Sequence, residues 1–282
     1  MHYTRNVVHH AVIVALPLVL ISSMSACATS DGVLKASTST APTEYPTPGA
    51  SSSSSSSNDR FPLVAPKPTI APTPPPLDAD GLPSVVSHIS TTEKIVFLTI
   101  DDGGVEDPRL TQLLTDTGVP VTTFLTHRYV KDRGYYEGIS RADGQVIQNH
   151  SWTHPQLPTL TEPEQRSEIC RTSDTYKQWY GVRPWILRPP YGEHNADTAR
   201  AAKHCGIDYI VIWNVNIPEG GHGHIRYDEG NRLRPGDIIL SHYRPDLVTD
   251  FKKAFRQIAK QGFKIAALQD YLPMRGTATS SD

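Results

Sequence analysis

Residues 94–103 read KIVFLTIDDG, an apolar and β-branched run that ends in two carboxylates and a glycine. Residues 95–100 carry no charge and show no alternation of polar and apolar positions. Such a run is typical of a strand that is covered on both faces, as the strands of parallel sheets are. The stretch therefore predicts a buried parallel strand whose carboxyl end is acidic.

Similar short runs recur along the chain. We predict strands at 94–100, 120–126, 145–149, 185–188, 208–213, 237–241 and 263–267. Helical patterns lie between them, and alternation of this kind predicts parallel strands covered by helices, an α/β fold. So many strands in so short a domain predict a smaller or incomplete relative of the eight-stranded barrel, which usually needs about 250 residues. An open doubly wound sheet is the alternative.

Three predicted helices have recognisable ends. Thr161 and Glu164 form a capping box before the helix predicted at 162–180. Asn195 is the expected N-cap of the helix at 196–205, and Gly206 follows its end. The helix at 247–261 is followed by Gly262.

Polar side chains suited to metal and proton chemistry follow most of the predicted strands. They are Asp101 and Asp102, His150 and His154, Arg188 and Tyr191, Trp213 and Asn216, and His242. Active sites of parallel barrels are built at the carboxyl ends of the strands, so we expect these side chains to lie together. No glycine-rich nucleotide-binding motif follows any predicted strand.

Each of these signals is weak alone. An Asp-Asp-Gly turn is usually a solvated strand exit, and two histidines four residues apart are usually coincidental. On a helical turn, however, His150 and His154 would face one way, as zinc ligands do. The metalloprotease motif requires Glu directly after its first His, and Ser151 stands there, which disfavours a peptidase.

In combination the motifs resemble those of the polysaccharide deacetylases with a NodB homology domain, carbohydrate esterase family 4. They are TIDDG at 99–103 (TFDDG in most members), HSWTH at 150–154, RPPYG at 188–192 and LSH at 240–242, in the family's order. The resemblance covers about Lys94 to Tyr271. It implies a distorted (β/α)7 barrel and removal of acetyl groups from N-acetylated cell-wall sugars, with peptidoglycan as the expected substrate.

The resemblance also implies a metal centre. Asp102, His150 and His154 would bind a divalent metal, most often zinc. Asp101 would remain free to act as the general base. Three protein ligands leave room for water and substrate, as a catalytic zinc site requires.

Further roles are implied around that centre. Arg188 would hold Asp101, and His242 would protonate the departing amine. The backbone N–H of Tyr191 would stabilise the oxyanion. Leu240 and Trp213 would line the pocket for the acetyl methyl group. Taken singly, Arg188 could be a surface ion pair and His242 a buried structural histidine.

One motif departs from the family. Many members carry Asp-x-x-Asp-Trp after the fifth strand, whereas this chain has Asn216, Glu219 and Gly220 at those positions. Asn216 can orient His242 but cannot stabilise its charged form as a carboxylate would, and Glu219 or Asp228 is the alternative acidic partner. Two alternatives therefore stay open: a weakly active or inactive member that binds glycan, and an O-acetyl esterase acting on acetylated xylan.

The N-terminal part of the chain predicts export. Residues 1–27 carry a positive charge, Arg5, near their start. An apolar run at 11–21, too short to span a membrane, follows, and small residues precede Cys27. This pattern resembles a bacterial lipobox, so we expect a lipid anchor at Cys27; an ordinary secretory signal is the alternative. Residues 28–91, with eleven prolines and a serine run at 51–57, predict a disordered linker. The catalytic domain is then expected at 92–282.

Two cysteines remain besides Cys27. In an oxidising compartment Cys170 and Cys205 are expected to form a disulfide, with two buried free thiols as the alternative. The net charge of −2 predicts no nucleic-acid binding. We expect a monomer that binds an N-acetylated polysaccharide and contacts the membrane only through its lipid anchor, on the outer face of the membrane or in the cell wall.

Overall fold

The structure, a computed structural model, describes residues 63–141 and 144–276. Within these ranges the strands are β1 (Ser84–Val86), β2 (Ile95–Asp102), β3 (Val121–Leu125), β4 (Gln145–Asn149), β5 (Ile186–Leu187), β6 (Tyr209–Val211), β7 (Val215–Asn216), β8 (Arg226–Tyr227), β9 (Ile238–His242) and β10 (Lys264–Ala266). The α-helices are α1 (Pro108–Thr117), α2 (Arg133–Arg141), α3 (Glu162–Tyr180), α4 (Ala196–His204) and α5 (Leu247–Lys260).

All of these strands belong to one sheet. Its neighbours follow the order β1-β6-β5-β4-β3-β2-β9-β7-β8, and β10 also pairs with β2. Every pairing is parallel except that of β7 with β8. Strands β10 and β3 share one edge of β2: β10 pairs with residues 95–97 and β3 with residues 99–102. The sheet thus curls into a distorted barrel covered by helices. The prediction of a distorted α/β barrel is confirmed, and each of the seven predicted strands overlaps an observed one.

The central strand β2 separates two apolar clusters. Val96, Leu98 and Ile100 pack in the cluster that also contains residues of α1 and α5. Phe97 packs in the second cluster, which includes side chains of β3, β5 and β9. Successive side chains of a strand point to opposite faces, so Asp101, four residues after Phe97, points to the same face as Phe97. This alternation brings the first carboxylate of the pair to the inner face of the barrel.

The helix ends follow the local signals. Glu164 Oε2 accepts a hydrogen bond from the Thr161 backbone N–H at 2.8 Å, which holds the start of α3. Asn195 Oδ1 accepts one from the Thr198 N–H at 2.9 Å at the start of α4. The three predicted helices match α3, α4 and α5 to within one residue at each end. No helix within the described ranges is both long and apolar enough to cross a bilayer.

The boundary between linker and domain differs from the prediction. The backbone around Val64 bridges to Ile265 of β10, and β1 pairs with β6. Leu63, Val86 and Ile89 are buried. The expectation of disorder over 28–91 is therefore wrong for residues 63–91, because a few apolar residues among the prolines occupy free sheet edges. The predicted export signal, the Cys27 anchor and the first part of the linker lie outside the described residues.

A disulfide joins Cys170 of α3 to Cys205, directly after α4. Cys205 is buried, and its neighbours in the same apolar cluster come from both helices. The predicted pairing is confirmed. Its partners lie 35 residues apart, so the bond closes a sizeable loop in the unfolded chain.

Removal of this disulfide should lower stability. In the chain-entropy model a loop of this length contributes roughly 3–4 kcal/mol, because the cross-link restricts the unfolded chain. We expect the Cys170→Ala/Cys205→Ala variant to lose about that much free energy of unfolding in a urea titration. Reductant should then shift the wild-type midpoint towards that of the variant and leave the variant unchanged. Equal midpoints for oxidised and reduced wild type would contradict the expectation.

Candidate active site

The predicted site residues converge at the carboxyl end of the barrel. Nine of the ten line one cavity of about 800 Å³, and they are Asp101, Asp102, His150, His154, Tyr191, Trp213, Asn216, Leu240 and His242. The tenth, Arg188, lies fully buried beneath it. The cavity is large enough for a small ligand or one or two sugar units.

Parallel pairing explains this convergence. Asp101 at the end of β2 stands in register with His242 at the end of β9. On the other side, β3 separates β2 from β4, and His150 directly follows β4. Carboxyl ends of parallel strands meet at one edge of a sheet, so residues distant in sequence become neighbours.

Asp102, His150 and His154 form a possible metal site. One ligand atom from each residue lies within 4.8 Å of the others. The Oδ1 of Asp102 is 3.6 Å from His150 Nε2 and 3.3 Å from His154 Nε2. This Oδ1 is buried and, among the residues that the structure describes, has no hydrogen-bond partner of acceptable geometry. A buried acceptor without a donor, facing two imidazole nitrogens, fits a cation.

The hydrogen bonding of His150 favours metal binding. Its Nδ1 donates to the Arg188 carbonyl oxygen at 2.6 Å, which leaves Nε2 unprotonated in the neutral ring and directed at Asp102. Burial lowers the pKa of His150 despite the charges of two nearby aspartates, so the ring is neutral at pH 7. Burial alone would raise the pKa of Asp102, but the neighbouring imidazoles, first that of His154, outweigh it and hold this pKa below its ordinary value.

The other carboxylate, Asp101, is held beside the possible metal site by Arg188. Arg188 Nη1 donates to Asp101 Oδ1 at 2.7 Å and to Thr99 Oγ1 at 2.6 Å. The guanidinium also lies 4.2 Å from the centre of the Phe124 ring. Burial lowers the pKa of Arg188, and the charge of Asp101 opposes that change. Asp101 Oδ2 remains on the cavity side, 3.7 Å from His150 Nε2.

Backbone strain concentrates at this site. Five non-glycine residues in the described part of the chain have positive φ, and four belong to the site: Asp102 (81°), Ser151 (71°), His154 (65°) and Tyr191 (62°). Such conformations cost of order 1–3 kcal/mol each and persist where surrounding contacts enforce them. Contacts in the surrounding fold therefore hold this strained backbone, and the strained conformations orient the side chains of the site.

The wall of the cavity near Tyr191 depends on a glycine. Tyr191 is 58% exposed, and its ring centre lies 4.7 Å from that of His154. Gly192 has φ 73°, and a Cβ there would lie 3.2 Å from Trp213 Cη2. The glycine thus permits both the turn and the close approach of the indole.

Asn216 and His242 lie on neighbouring strands, β7 and β9, with Asn216 in register with Leu240. Both side chains line the cavity. The hydrogen bonds of the described chain include none between the Asn216 amide and His242, so the expected orienting contact is not made directly. Among the described residues His242 forms no ion pair with a carboxylate, although Glu219 lines the same cavity.

A second buried ion pair was not predicted from the sequence. Arg244 lines the cavity, and its Nη2 donates to Asp250 Oδ2 on α5 at 2.8 Å and to the Pro218 carbonyl at 3.4 Å. It ties the loop after β7 to α5. In the sequence, only the position of Arg244 two residues after His242 suggested that it lies near the site. Its partner on α5, Asp250, could be identified only from the fold.

A carboxylate and two imidazoles at a barrel rim, with a second carboxylate beside them, are typical of metal-dependent hydrolases. Residues 88–210 match the family model of polysaccharide deacetylase. An uncharacterized protein of Streptomyces coelicolor is 35% identical over 208 residues, which cover 70% of this chain and 82% of that protein. The peptidoglycan-N-acetylmuramic acid deacetylase PdaA of Bacillus subtilis is 27% identical over 65% of this chain and 73% of its own length.

Solved structures share the fold. A Bacillus anthracis pseudoenzyme of carbohydrate esterase family 4 superposes with a TM-score of 0.59 at 23% identity, over 68% of this chain and 70% of the other. This likeness concerns the fold only. The family model and the relatives show that the chain belongs to the polysaccharide deacetylase family.

Proposed function

We propose that this protein removes N-acetyl groups from cell-wall polysaccharide and that its substrate is the amino sugar of peptidoglycan. The observation that carries the proposal is the Asp102, His150 and His154 cluster beside the buried pair of Asp101 and Arg188. The relatives include a peptidoglycan deacetylase. Binding alone would not require a second carboxylate held free beside the metal ligands.

The donor set suits Zn²⁺. Two imidazoles and one carboxylate are ligands that zinc accepts, and the cavity beside them leaves open positions for water and substrate. When bound there, the metal would polarise the acetyl carbonyl and lower the pKa of a bound water towards about 7.

Residues of the protein would carry out the proton transfers and stabilise the charge that develops on the substrate. Asp101, whose Oδ1 is fixed by Arg188, would take a proton from the attacking water through Oδ2. His242 would donate a proton to the departing amine nitrogen, and the Tyr191 backbone N–H would hydrogen-bond the carbonyl oxygen as it gains charge. Leu240 and Trp213 would contact the acetyl methyl group and keep water out.

A glycan-binding member without turnover is the second candidate. It is favoured by one observation: Asn216 stands where the family has a carboxylate and makes no hydrogen bond to His242 within the part of the chain described. The five side chains that would hold metal and move protons are nevertheless all present and face one cavity. We therefore favour a deacetylase in which Asn216 replaces one of the two carboxylates usual in the family, while Glu219 stands at the position of the other.

Export and anchoring are part of the proposal. The disulfide of Cys170 with Cys205 supports an oxidising compartment, since such bonds are rare in the cytosol. A lipid at Cys27 followed by a long proline- and serine-rich segment would keep the domain within reach of the cell wall.

Acetate release tests this function. The purified full chain, loaded with zinc, should release acetate from peptidoglycan, be inactive after dialysis against a chelator, and recover when zinc is restored. Chitin oligomers and acetylated xylan serve as comparison substrates. Faster release from xylan would favour the O-acetyl esterase, and no chelator-sensitive release from any of the three would overturn the enzymatic proposal.

A further inference from the structure

The loop that carries both histidine ligands, residues 150–154, is attached to helix α3 by one carboxylate. Glu168 Oε2 accepts hydrogen bonds from the backbone N–H groups of Trp152 at 2.9 Å and Thr153 at 2.7 Å. Glu168 Oε1 accepts a third from Thr153 Oγ1 at 2.8 Å. Both oxygens of this side chain thus bind the short segment between the two ligands.

The ring of Trp152 adds a second attachment to the same side of the molecule. It stacks on His127 with ring centres 3.4 Å apart and planes 10° apart. The guanidinium of Arg171, three residues after Glu168 on α3, lies 4.2 Å from the centre of the indole. Burial, and then the charge of Arg171, lower the pKa of His127, so its ring stacks in the neutral form.

This attachment matters because the loop is strained. Ser151 and His154 have φ of 71° and 65°, so the segment would relax if nothing held it. The neighbouring contacts inside the loop are short-range: Asn149 Oδ1 accepts from the Ser151 N–H, and Ser151 Oγ accepts from the His154 N–H. The carbonyl groups of Ser151 and Trp152 also accept hydrogen bonds, from the backbone N–H groups of His127 and Arg128. Glu168 is the side chain of a separate helix that binds the N–H groups of the segment between the two histidines.

We propose that Glu168 is a positioning residue of the metal site, which sets the distance between His150 and His154 through the backbone of the loop. The inference rests on the proposed metal-dependent function. Among the described residues Glu168 makes no hydrogen bond to a ligand side chain, so its effect would reach the metal through Trp152 and Thr153. Residues that support metal ligands in this way typically change metal affinity by 10–100-fold when removed.

The experiment measures zinc affinity of the full chain by competition with a chromogenic chelator. Glu168→Ala should raise the Kd for zinc about 10–100-fold, and saturating zinc should restore most of kcat. Glu168→Gln should stay close to the wild type, because its amide oxygen can accept both backbone N–H groups and its NH₂ can donate to the Thr153 hydroxyl. Glu162→Ala is the matched control, since Glu162 lies on the same helix and pairs with Arg200 of α4 instead.

The outcomes separate this inference from the proposed function. A wild-type Kd in Glu168→Ala, or an equal loss in Glu162→Ala, would overturn the positioning role. A wild type that binds no zinc would instead overturn the metal site itself. Should Glu168→Ala not fold, Glu168→Met carries the same expectation, because it keeps the length of the side chain and removes both acceptors.

Discussion

Asp101→Asn should lower kcat by about 10²–10⁴-fold while the zinc content stays near that of the wild type. The amide can still accept the Arg188 hydrogen bond at the Oδ1 position, so the geometry of the site is expected to persist. It cannot take a proton from water at neutral pH, and the base is lost. Acetate release and metal analysis of the same preparation measure both quantities.

Asp250→Asn is the matched control for this change. Asp250 is also a buried aspartate paired with an arginine, Arg244, but it does not line the cavity. Its amide variant should lose stability with a far smaller loss of kcat. If Asp101→Asn kept its activity, or lost zinc together with activity, Asp101 would not be the base.

Arg188→Met should cost about 3–5 kcal/mol of unfolding free energy, the loss typical when one partner of a buried ion pair is removed. Asp101 is only 2% exposed and would be left as a buried charge without its counter-ion. Asp101 would also lose the hydrogen bond that fixes its Oδ1, so activity should fall along with the stability. Urea unfolding of the metal-free protein measures the first effect, and acetate release at saturating zinc the second.

Two further variants make this result specific. Arg141 forms an ion pair with Glu137, one turn away on α2, in which both side chains are exposed, and Arg141→Met should cost no more than about 1 kcal/mol. The double variant Asp101→Asn/Arg188→Met should lose less stability than the sum of the single changes, because it leaves no unpaired charge. Strict additivity would show that the two residues do not interact as described.

Much of the fold was predictable from local signals. The run at 95–100 is apolar on both faces, which a parallel strand covered on both sides requires, and β2 lies there. Thr161, Asn195 and Gly262 predicted helix ends because caps act within one turn. In contrast, β1, β7 and β8 are only three, two and two residues long and do not lie within an apolar run, as the equally short β5 and β6 do. They form because a neighbouring strand offers free backbone groups.

The site was predictable for a related reason. Once the strands are parallel, residues at their carboxyl ends share one rim, so Asp101, His150 and His242 could be grouped without knowing any distance. Prediction was poorer where a residue acts across the fold. Glu168 and Asp250 are ordinary charged residues in helical patterns, and nothing in their sequence surroundings marks the loop or the arginine that they bind.

The sequence by itself determined which residues form strands and helices, which side chains stand at the strand ends, and which family motifs they compose, since these depend on neighbours along the chain. Only the tertiary structure decided that residues 63–91 belong to the domain, that Arg188 is buried against Asp101, and that Glu168 holds the histidine loop. Those contacts join residues far apart in sequence, and their energies depend on burial and distance, which arise only when the barrel closes around them.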